Sequence, residues 1–514
     1  MIQLRPYQQE AKEAILNEFA SGRKRTLLVL PTGCGKTATF CSVLQEQVKN
    51  GGKGLILAHR EELLTQARDR LFESTGLASA LEKADSTALD SDAPVTVASV
   101  QTLCRESRLK RFSPEHYAHI VIDEAHHSLS QSYRNVIDYF PNAEVLGVTA
   151  TPDRGDKKAL GEIYESLAYE YPMRKAIEEG YLCRITAKML PVNVPLDKVK
   201  VTCGDYSADE LGLALDPYLE EIAAQMAEEC RDRKTVVFLP LVSTAKKFST
   251  LLSSLGIKAA EVDGESEDRE ETLAAFERGD YQCICNSMLL TEGWDCPSVD
   301  CVVVLRPTKV RSLYQQMVGR GTRLYPGKKD LLILDFLYLT ERHDLCTPAS
   351  LFCSTERSEK AMNALLGKGE QIDLITAEQE AEHNALQERE ASLAQHLERV
   401  RTRTGKTVDP LQFALSIAAE DLASYEPVFG WELDKPTAKQ LDTIRNAGID
   451  STAITCKGMA SAVIDKLMKR REAGLSTPKQ IRCLERFGYE HVGTWSFEKA
   501  SSTIDQLARN GWRI

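Results

Sequence analysis

The sequence predicts an α/β chain: two consecutive doubly wound parallel-sheet domains, then an α-helical C-terminal region. Three observations carry this. Short runs of Val, Ile and Leu recur through the first 345 residues, apolar on both faces as in strands buried in a parallel sheet. Helical patterns separate these runs, and such alternation marks doubly wound architecture. Beyond residue 355 the rhythm stops and helix formers take over.

The elements follow in order. The first domain, 1–185, has strand candidates Thr26–Leu30, Gly54–Ala58, Val95–Val100, His119–Ile122 and Val145–Thr149, with helical patterns at Thr37–Lys49 and Glu61–Phe72. The second, 190–345, repeats the rhythm with Thr235–Leu239, Lys258–Val262, Gln282–Asn286, Cys301–Leu305 and Leu331–Asp335. Helical patterns at Ser243–Leu255 and Arg269–Arg278 separate these runs. Two α/β domains in tandem imply a ligand-sized cleft between them. Residues 355–427 read as a helical connector, with Ala377–Arg403 free of Gly and Pro and expected to form one long helix. Residues 431–514 hold an internal repeat of 40 residues. Thr437-Ala438-Lys439-Gln440 returns as Thr477-Pro478-Lys479-Gln480, Gly448 as Gly488, Ala460-Ser461 as Ala500-Ser501, and Leu467 as Leu507. Each unit reads as two helices about a Gly turn, with Thr437 and Thr477 as N-caps and Pro478 in a first turn.

Composition narrows the class. The 514 residues carry 64 basic and 75 acidic side chains, net −11, so this is not a basic tail protein; a local basic groove stays possible. There is no run of about eighteen apolar residues, the length a membrane span needs. The first residues hold no apolar signal core, so the expected location is cytoplasmic, with no membrane partner. Fourteen cysteines are scattered without a C-x-x-C pair. They read as buried reduced thiols, and no zinc is expected.

Chemistry concentrates at two places. The apolar run Leu27–Leu30 leads into Pro31-Thr32-Gly33-Cys34-Gly35-Lys36-Thr37 and then a helix. Glycines let backbone amides wrap phosphate oxygens, Lys36 would reach the β/γ-phosphates of ATP, and the Thr37 hydroxyl would hold Mg²⁺. The full phosphate-loop pattern wants Gly at position 30, where this chain has Leu30. The second place is Ile120-Val121-Ile122, a buried strand ending in Asp123-Glu124-Ala125-His126. Carboxylates at a strand's C-terminal end sit where α/β sheets bind ligands. Asp123 could hold the Mg²⁺, and Glu124 could orient and deprotonate the attacking water.

With these motifs on the page, residues 1–345 resemble the superfamily-two DEAD/DEAH-box helicases, most of all the RadD-like DNA helicases of bacteria and mobile elements. The resemblance implies a pair of RecA-like domains. It makes Arg5 and Gln8, in Leu4-Arg5-Pro6-Tyr7-Gln8, base contacts for ATP. Ala58-His59-Arg60-Glu61 looks like motif Ia and Ser99-Val100-Gln101-Thr102 like the next strand-contacting motif; His59, Arg60, Ser99, Gln101, Thr102 and Gly264 become the nucleic-acid candidates. Thr149-Ala150-Thr151-Pro152 looks like motif III, with Thr149 and Thr151 coupling hydrolysis to movement. Thr291-Glu292-Gly293-Trp294-Asp295 looks like motif V, bringing Gly293 and Asp295 to the nucleotide. Gln316-Met317-Val318-Gly319-Arg320-Gly321-Thr322-Arg323 looks like motif VI, with Gln316 at the site and Arg320 and Arg323 as arginine fingers. Three apart, these arginines are expected on one helix face. The chain departs from RadD-like proteins in lacking their cysteine-rich region after the second domain.

The expected activity is an ATP-dependent DNA helicase or translocase acting on single-stranded or forked DNA. An RNA helicase and an ATP-switched nucleic-acid scaffold stay open as rivals. The basic residues of the repeat, Lys466, Lys469, Arg470, Arg471, Lys479, Arg482 and Arg486, could grip DNA, or the repeat could dock a protein partner. Phe487, Tyr489, Trp495, Phe497 and Trp512 are expected to form the core of its second unit.

Overall fold

The structure is a computed structural model. It describes residues 3–514 except 60, 151–159, 193, 197–198, 203, 265, 267, 292, 339–344, 354–355, 383, 385–407, 409–412, 415, 418, 420–421, 423–424, 426–429, 490 and 513–514. The chain divides into two compact units, Met1–Glu382 and His383–Ile514. Among the described residues, no helix is long and apolar enough to cross a membrane.

The first unit holds two seven-stranded sheets. One comprises β1 (Arg25–Val29), β2 (Lys53–Ala58), β3 (Ser79–Glu82), β4 (Val95–Ser99), β5 (Tyr117–Asp123), β6 (Glu144–Thr149) and β7 (Ser166–Glu170). Its order is β3-β4-β2-β5-β6-β1-β7, and every pairing is parallel. The helices that matter to the site are α1 (Pro6–Ala20), α2 (Lys36–Asn50) and α3 (Glu61–Thr75). A small antiparallel ribbon, β9 (Val201–Thr202) with β10 (Asp205–Tyr206), follows the first strand of the second sheet, β8 (Ile185–Val192). That sheet adds β11 (Thr235–Phe238), β12 (Ala259–Val262), β13 (Cys283–Asn286), β14 (Cys301–Val304), β15 (Leu331–Tyr338) and β16 (Ile372–Asp373). Its order is β12-β13-β11-β14-β15-β8-β16, parallel except for β16. This is the α/β architecture the sequence predicts. The second sheet, however, begins at Ile185 and closes with a strand at 372–373, beyond the run of residues that carries its rhythm.

Period-two alternation shows why these runs are apolar throughout. Val236, Phe238, Ile284, Val302, Val304 and Ile333 enter one core, which also contains Leu28, Leu30 and Val121 of the first sheet. Their neighbours Val237, Leu239, Val303, Leu332 and Leu334 enter a second core on the opposite face. Cys283, Cys285 and Cys301 belong to that second face together with Cys230, whose Sγ lies 3.4 Å from Cys301 Sγ. Burial drives the Cys283 and Cys301 thiols well above the ordinary range, so they stay protonated. The spacing of these cysteines is therefore strand packing.

In the second unit, the described helices of the repeat are α5 (Ala438–Asn446), α6 (Lys457–Glu472), α7 (Pro478–Arg486) and α8 (Phe497–Arg509); the label α4 belongs to Arg311–Gly319 in the first unit. The Thr, Gln, Gly and Ser residues that recur every 40 positions are spent on local architecture. Thr437 and Thr477 accept hydrogen bonds from the backbone N–H of Gln440 and Gln480, which complete capping boxes. The amide of Gln440 then donates to Ser461 Oγ at 2.9 Å, and that of Gln480 to Ser501 Oγ at 2.8 Å, tying each first helix to its second. Gly448 and Gly488 adopt φ of +92° and +86°, the left-handed geometry that ends the first helix of each pair. Ile444, Ala460, Ile481, Leu484, Ala500 and Leu507 share one core with Val408 and Phe413. The long helix expected over Ala377–Arg403 lies mostly outside the described residues. Phe487, Tyr489 and Trp495 pack against the core as expected. Phe497 and Trp512 do not: each is about half exposed. Phe497 opens the capped helix α8 on its outer face, and Trp512 sits in the terminal turn stacked on Phe487.

Candidate nucleotide and nucleic-acid site

The loop after β1 is built around two glycines. Gly33 (φ +89°) and Gly35 (φ +74°) turn the chain left-handedly, which side-chain-bearing residues resist. A Cβ on Gly35 would collide with the Gln8 amide. Leu30, the departure from the usual loop pattern, extends β1 instead: it is fully buried, and its N–H donates to Thr149 O at 3.1 Å. Helix α2 starts at Lys36, so its open N-terminal amides face the loop.

The start of α1 braces this loop from behind. Tyr7 hydroxyl and Gln8 Nε2 both donate to Cys34 O at 2.9 Å, and Gln8 Oε1 accepts from Arg5 N–H at 2.9 Å. Tyr7 stacks flat on Tyr171, ring centroids 4.3 Å apart, with Tyr181 edge-on. The Arg5 guanidinium lies over the Tyr181 ring. Burial pushes the Cys34 thiol up to about 12, so it stays protonated.

The acidic wall comes from the end of β5. Glu124 adopts φ 54°, ψ 62°, a left-handed conformation. For a residue with a Cβ such a geometry costs on the order of 1–3 kcal/mol and persists where the surroundings enforce it. Its Oε1 accepts from Lys36 Nζ at 2.9 Å, and its Oε2 lies 3.5 Å from His126 Nδ1. Lys36 and Glu124 side chains are mostly buried.

The facing wall comes from the second sheet. Helix α4 (Arg311–Gly319) ends before both arginines. Arg320 and Arg323 therefore do not share a helix face: the chain leaves the helix at Gly319 and turns through Gly321, where a Cβ would strike Leu331. The turn, not helical spacing, carries both into the cleft. Arg320 donates from Nη2 to Thr291 O at 2.7 Å and from Nη1 to Trp294 O. Arg323 pairs with Asp295, while burial and the nearby Arg70 push its guanidinium down to about 10. Below, Tyr314 hydroxyl donates to Asp335 Oδ2 at 2.7 Å and pins α4 to β15; burial raises this Asp to about 7. The walls touch directly: Thr322 Oγ1 donates to Thr32 O at 3.3 Å.

Between them lies a cleft of about 530 Å³. Arg5, Thr32, Gly33, Gly35, Lys36, Thr37, Asp123, Glu124, Gly293, Asp295, Arg320 and Arg323 all line it. Four expected residues do not: Gln8 and Cys34 support the loop from behind, Pro31 is buried before it, and Gln316 is buried within α4. Tyr181, Gln66, Arg70 and Trp294 line the cleft without having been singled out from the sequence. Trp294 lies between Gly293 and Asp295 of the motif-V-like segment; Tyr181, Gln66 and Arg70 belong to no such motif, and only the fold brings them there. Thr37 and Asp123 offer hydroxyl and carboxylate oxygens on one wall.

The nucleic-acid candidates divide. Ala58 of β2 pairs with Ser99 of β4, so His59 and Gln101 emerge at adjacent strand ends. Ser99 Oγ donates to Gln101 Oε1 at 2.8 Å, and Gln101 Nε2 donates to His59 O at 2.6 Å. Thr102 is buried, and Gly264 lies on the second sheet, exposed after β12. Thr149 is buried at the end of β6; Arg60 and Thr151 lie outside the described residues.

Known proteins resemble the chain in sequence and in fold. Residues 1–154 match the family described as type III restriction enzyme, res subunit, and residues 218–325 match the helicase conserved C-terminal domain. A protein of Saccharomyces cerevisiae named as an ATP-dependent helicase, IRC3, is 33% identical over 65% of this chain and 51% of its own length. A Schizosaccharomyces pombe protein named as a mitochondrial ATP-dependent helicase is 34% identical over 65% of this chain and 57% of its own. The chain thus spans about half the length of these relatives. The DNA 3'-5' translocase XPB2 of Sulfurisphaera tokodaii is 26% identical over 64% of this chain and 80% of its own. Among solved structures, a fragment of an HsdR subunit of a type I restriction enzyme from Vibrio vulnificus shares the fold with TM-score 0.53 at 24% identity, over 65% of this chain and 64% of that one. The type ISP restriction-modification enzyme LlaBIII does so with TM-score 0.56 at 17%, over 99% of this chain and 42% of that one. The glycine loop and the acidic strand end fall within the first of these family matches and the arginine turn within the second, the pair of domains found in superfamily-two helicases.

Proposed function

We propose that the chain is an ATP-dependent DNA helicase or translocase that hydrolyses ATP in the cleft of its first unit. One observation carries this: the Lys36–Glu124 pair on one sheet faces Arg320 and Arg323 from the other across a cleft of about 530 Å³. Lys36 leaves Glu124 to neutralise the β/γ-phosphates, which releases the Glu124 carboxylate to orient and deprotonate the attacking water. Arg320 and Arg323 neutralise charge that develops on the transferred phosphoryl group. They come from the other sheet, so turnover is tied to closure, and opening after hydrolysis becomes movement along the strand. Arg5 and Tyr181, which line the cleft with the guanidinium over the ring, would take the base.

The donor set fits Mg²⁺. Among the described residues no cluster of three or more His, Cys, Asp or Glu could hold a metal. Mg²⁺ needs none, taking one or two protein oxygens plus water and phosphate oxygens. Thr37 and Asp123 would hold it, and when bound it would supply further charge neutralisation.

DNA is favoured over RNA because relatives are named for DNA translocation and the sequence motifs resemble DNA-repair helicases. Ser99, Gln101 and His59 would touch the strand, mainly through phosphates, positioning it without reading sequence. The second unit would add grip through exposed Lys479 and Arg486, and a cytoplasmic site of action suits its free cysteines. The test is ATP hydrolysis by the purified chain with single-stranded, duplex or forked DNA, or RNA. DNA stimulation is expected; stimulation by RNA alone would overturn the DNA assignment, and none by any polymer would overturn the helicase reading.

A further inference from the structure

Three neighbouring strands of the first sheet, β4, β2 and β5, end side by side. Their C-terminal ends place Ser99 and Gln101, His59, and the Asp123–His127 segment in one row. A continuous chain of contacts crosses that row. Gln101, fixed by the Ser99 hydroxyl, holds the His59 carbonyl at 2.6 Å. The His59 ring packs on His127 with centroids 4.1 Å apart at 56°. His127 packs on His126, again at 4.1 Å, at 46°. His126 Nδ1 lies 3.5 Å from Glu124 Oε2, and the other oxygen of that carboxylate holds Lys36 at 2.9 Å.

We propose that this column of imidazoles, His59–His127–His126, couples the strand-contacting end of the sheet to the Lys36–Glu124 ion pair, with His127 as the positioning residue at its centre. The inference rests on the function proposed above and assigns the route by which a bound strand accelerates ATP turnover.

Lys36 cannot hold Glu124 and the phosphates together, and Glu124 cannot hold Lys36 and aim a water together. Turnover therefore needs the pair broken. The nucleotide draws off Lys36 from one side. On the other side the second carboxylate oxygen lies 3.5 Å from His126, which packs on His127, which packs on His59. A strand that displaces the Gln101–His59 contact shifts this packed column and with it the carboxylate. Interiors are close-packed, so rings in contact transmit such shifts. Linkage makes the effect reciprocal: ATP binding should tighten or loosen DNA by the factor by which DNA changes ATP affinity. A path of contacts becomes a path of coupling only if removing a link changes the coupling.

The experiment uses the full chain with His127→Ala and His127→Phe, measuring kcat and KM for ATP with and without single-stranded oligonucleotide, and oligonucleotide Kd. His127→Ala is expected to keep unstimulated turnover, KM and Kd within about twofold of wild type, while DNA stimulation falls by at least about fivefold, the lower end of coupling between linked sites. His127→Phe, which keeps an aromatic ring in the column, is expected to restore most of it. Undiminished stimulation in His127→Ala overturns the proposal. So does an equal loss of basal and stimulated turnover, which marks a merely structural role, or a Phe variant no better than Ala. If wild type itself shows no stimulation by DNA or RNA, the proposed function fails first and the coupling with it; stimulation by RNA alone refutes the DNA assignment, and wild type with the same two variants then reads the coupling with RNA.

Discussion

The cleft of the first unit and the repeat of the second both announce themselves as patterned residues, but the patterns do different work. In the cleft, Lys36, Glu124, Arg320 and Arg323 are far apart in sequence and meet only through the fold. Their local structure is poor: Glu124 sits in a left-handed conformation and Arg323 is half-buried near Arg70. In the repeat, Thr, Gln, Gly and Ser recur at fixed spacing, and each is consumed locally by a cap, a turn or a helix-to-helix hydrogen bond. Strained, convergent residues point to chemistry. Recurrent, locally satisfied residues point to architecture. What the repeat offers a partner must therefore lie in exposed positions that no cap, turn or helix-to-helix hydrogen bond consumes, such as Lys479 and Arg486.

That contrast can be broken, starting from the largest effect. Arg320→Ala should lower DNA-stimulated turnover by about 10³–10⁵, with ATP still bound by equilibrium titration. A loss of a few-fold would leave Arg320 only its loop-holding bonds to Thr291 and Trp294. Glu124→Gln should cost about 10²–10⁴ in kcat with little change in ATP affinity; unchanged hydrolysis would remove Glu124 from its role. Gly35→Ala puts a Cβ into Gln8 at a positive φ, so ATP affinity should fall at least about tenfold, or 1.4 kcal/mol. Normal binding would show that the loop need not keep this turn. On the repeat side, Lys479→Ala with Arg486→Ala should leave kcat at saturating DNA unchanged. The slope of log affinity against log salt should drop by about one per lost phosphate contact. An unchanged slope would end the gripping idea. Smallest, Thr477→Ala should cost about 1 kcal/mol of the second unit's stability in a denaturant melt, with ATP turnover untouched; a change in turnover would erase the distinction drawn here.

How much of this was legible in the sequence follows from the same physics. Central strands such as β5 and β14 are apolar on both faces and could be read directly. Three of the four edge strands, β3, β7 and β16, could not, because they are short and half solvated: Ser79–Glu82 and Ser166–Glu170 mix charges and small residues into few positions, whereas the fourth, β12, has a legible run at Lys258–Val262. Strand β8 was missed in part because Lys188 and Pro191 interrupt it; β16 pairs only with Thr186 and Ala187, so Pro191 meets a ladder open on that side. At the site, residues carried by local motifs were legible, since glycine loops and strand-end carboxylates have short-range signatures. Arg320 and Arg323 do line the cleft, yet the geometric reason drawn from their spacing was wrong, because the helix stops at Gly319. Gln8 was expected to face the base and instead braces Cys34. Tyr181 and Arg70 carry no signature at all and enter the cleft only because two sheets meet there.

The central claim is that ATP turnover occurs in the first unit's cleft, is driven by DNA and is completed by an arginine from the opposite sheet. The most direct measurement is steady-state ATP hydrolysis by wild type and Arg320→Ala, each titrated with single-stranded DNA. The rate should rise with DNA for wild type and stay flat, near background, for the variant. A wild-type rate indifferent to DNA, or a variant that follows the wild-type curve, would contradict it.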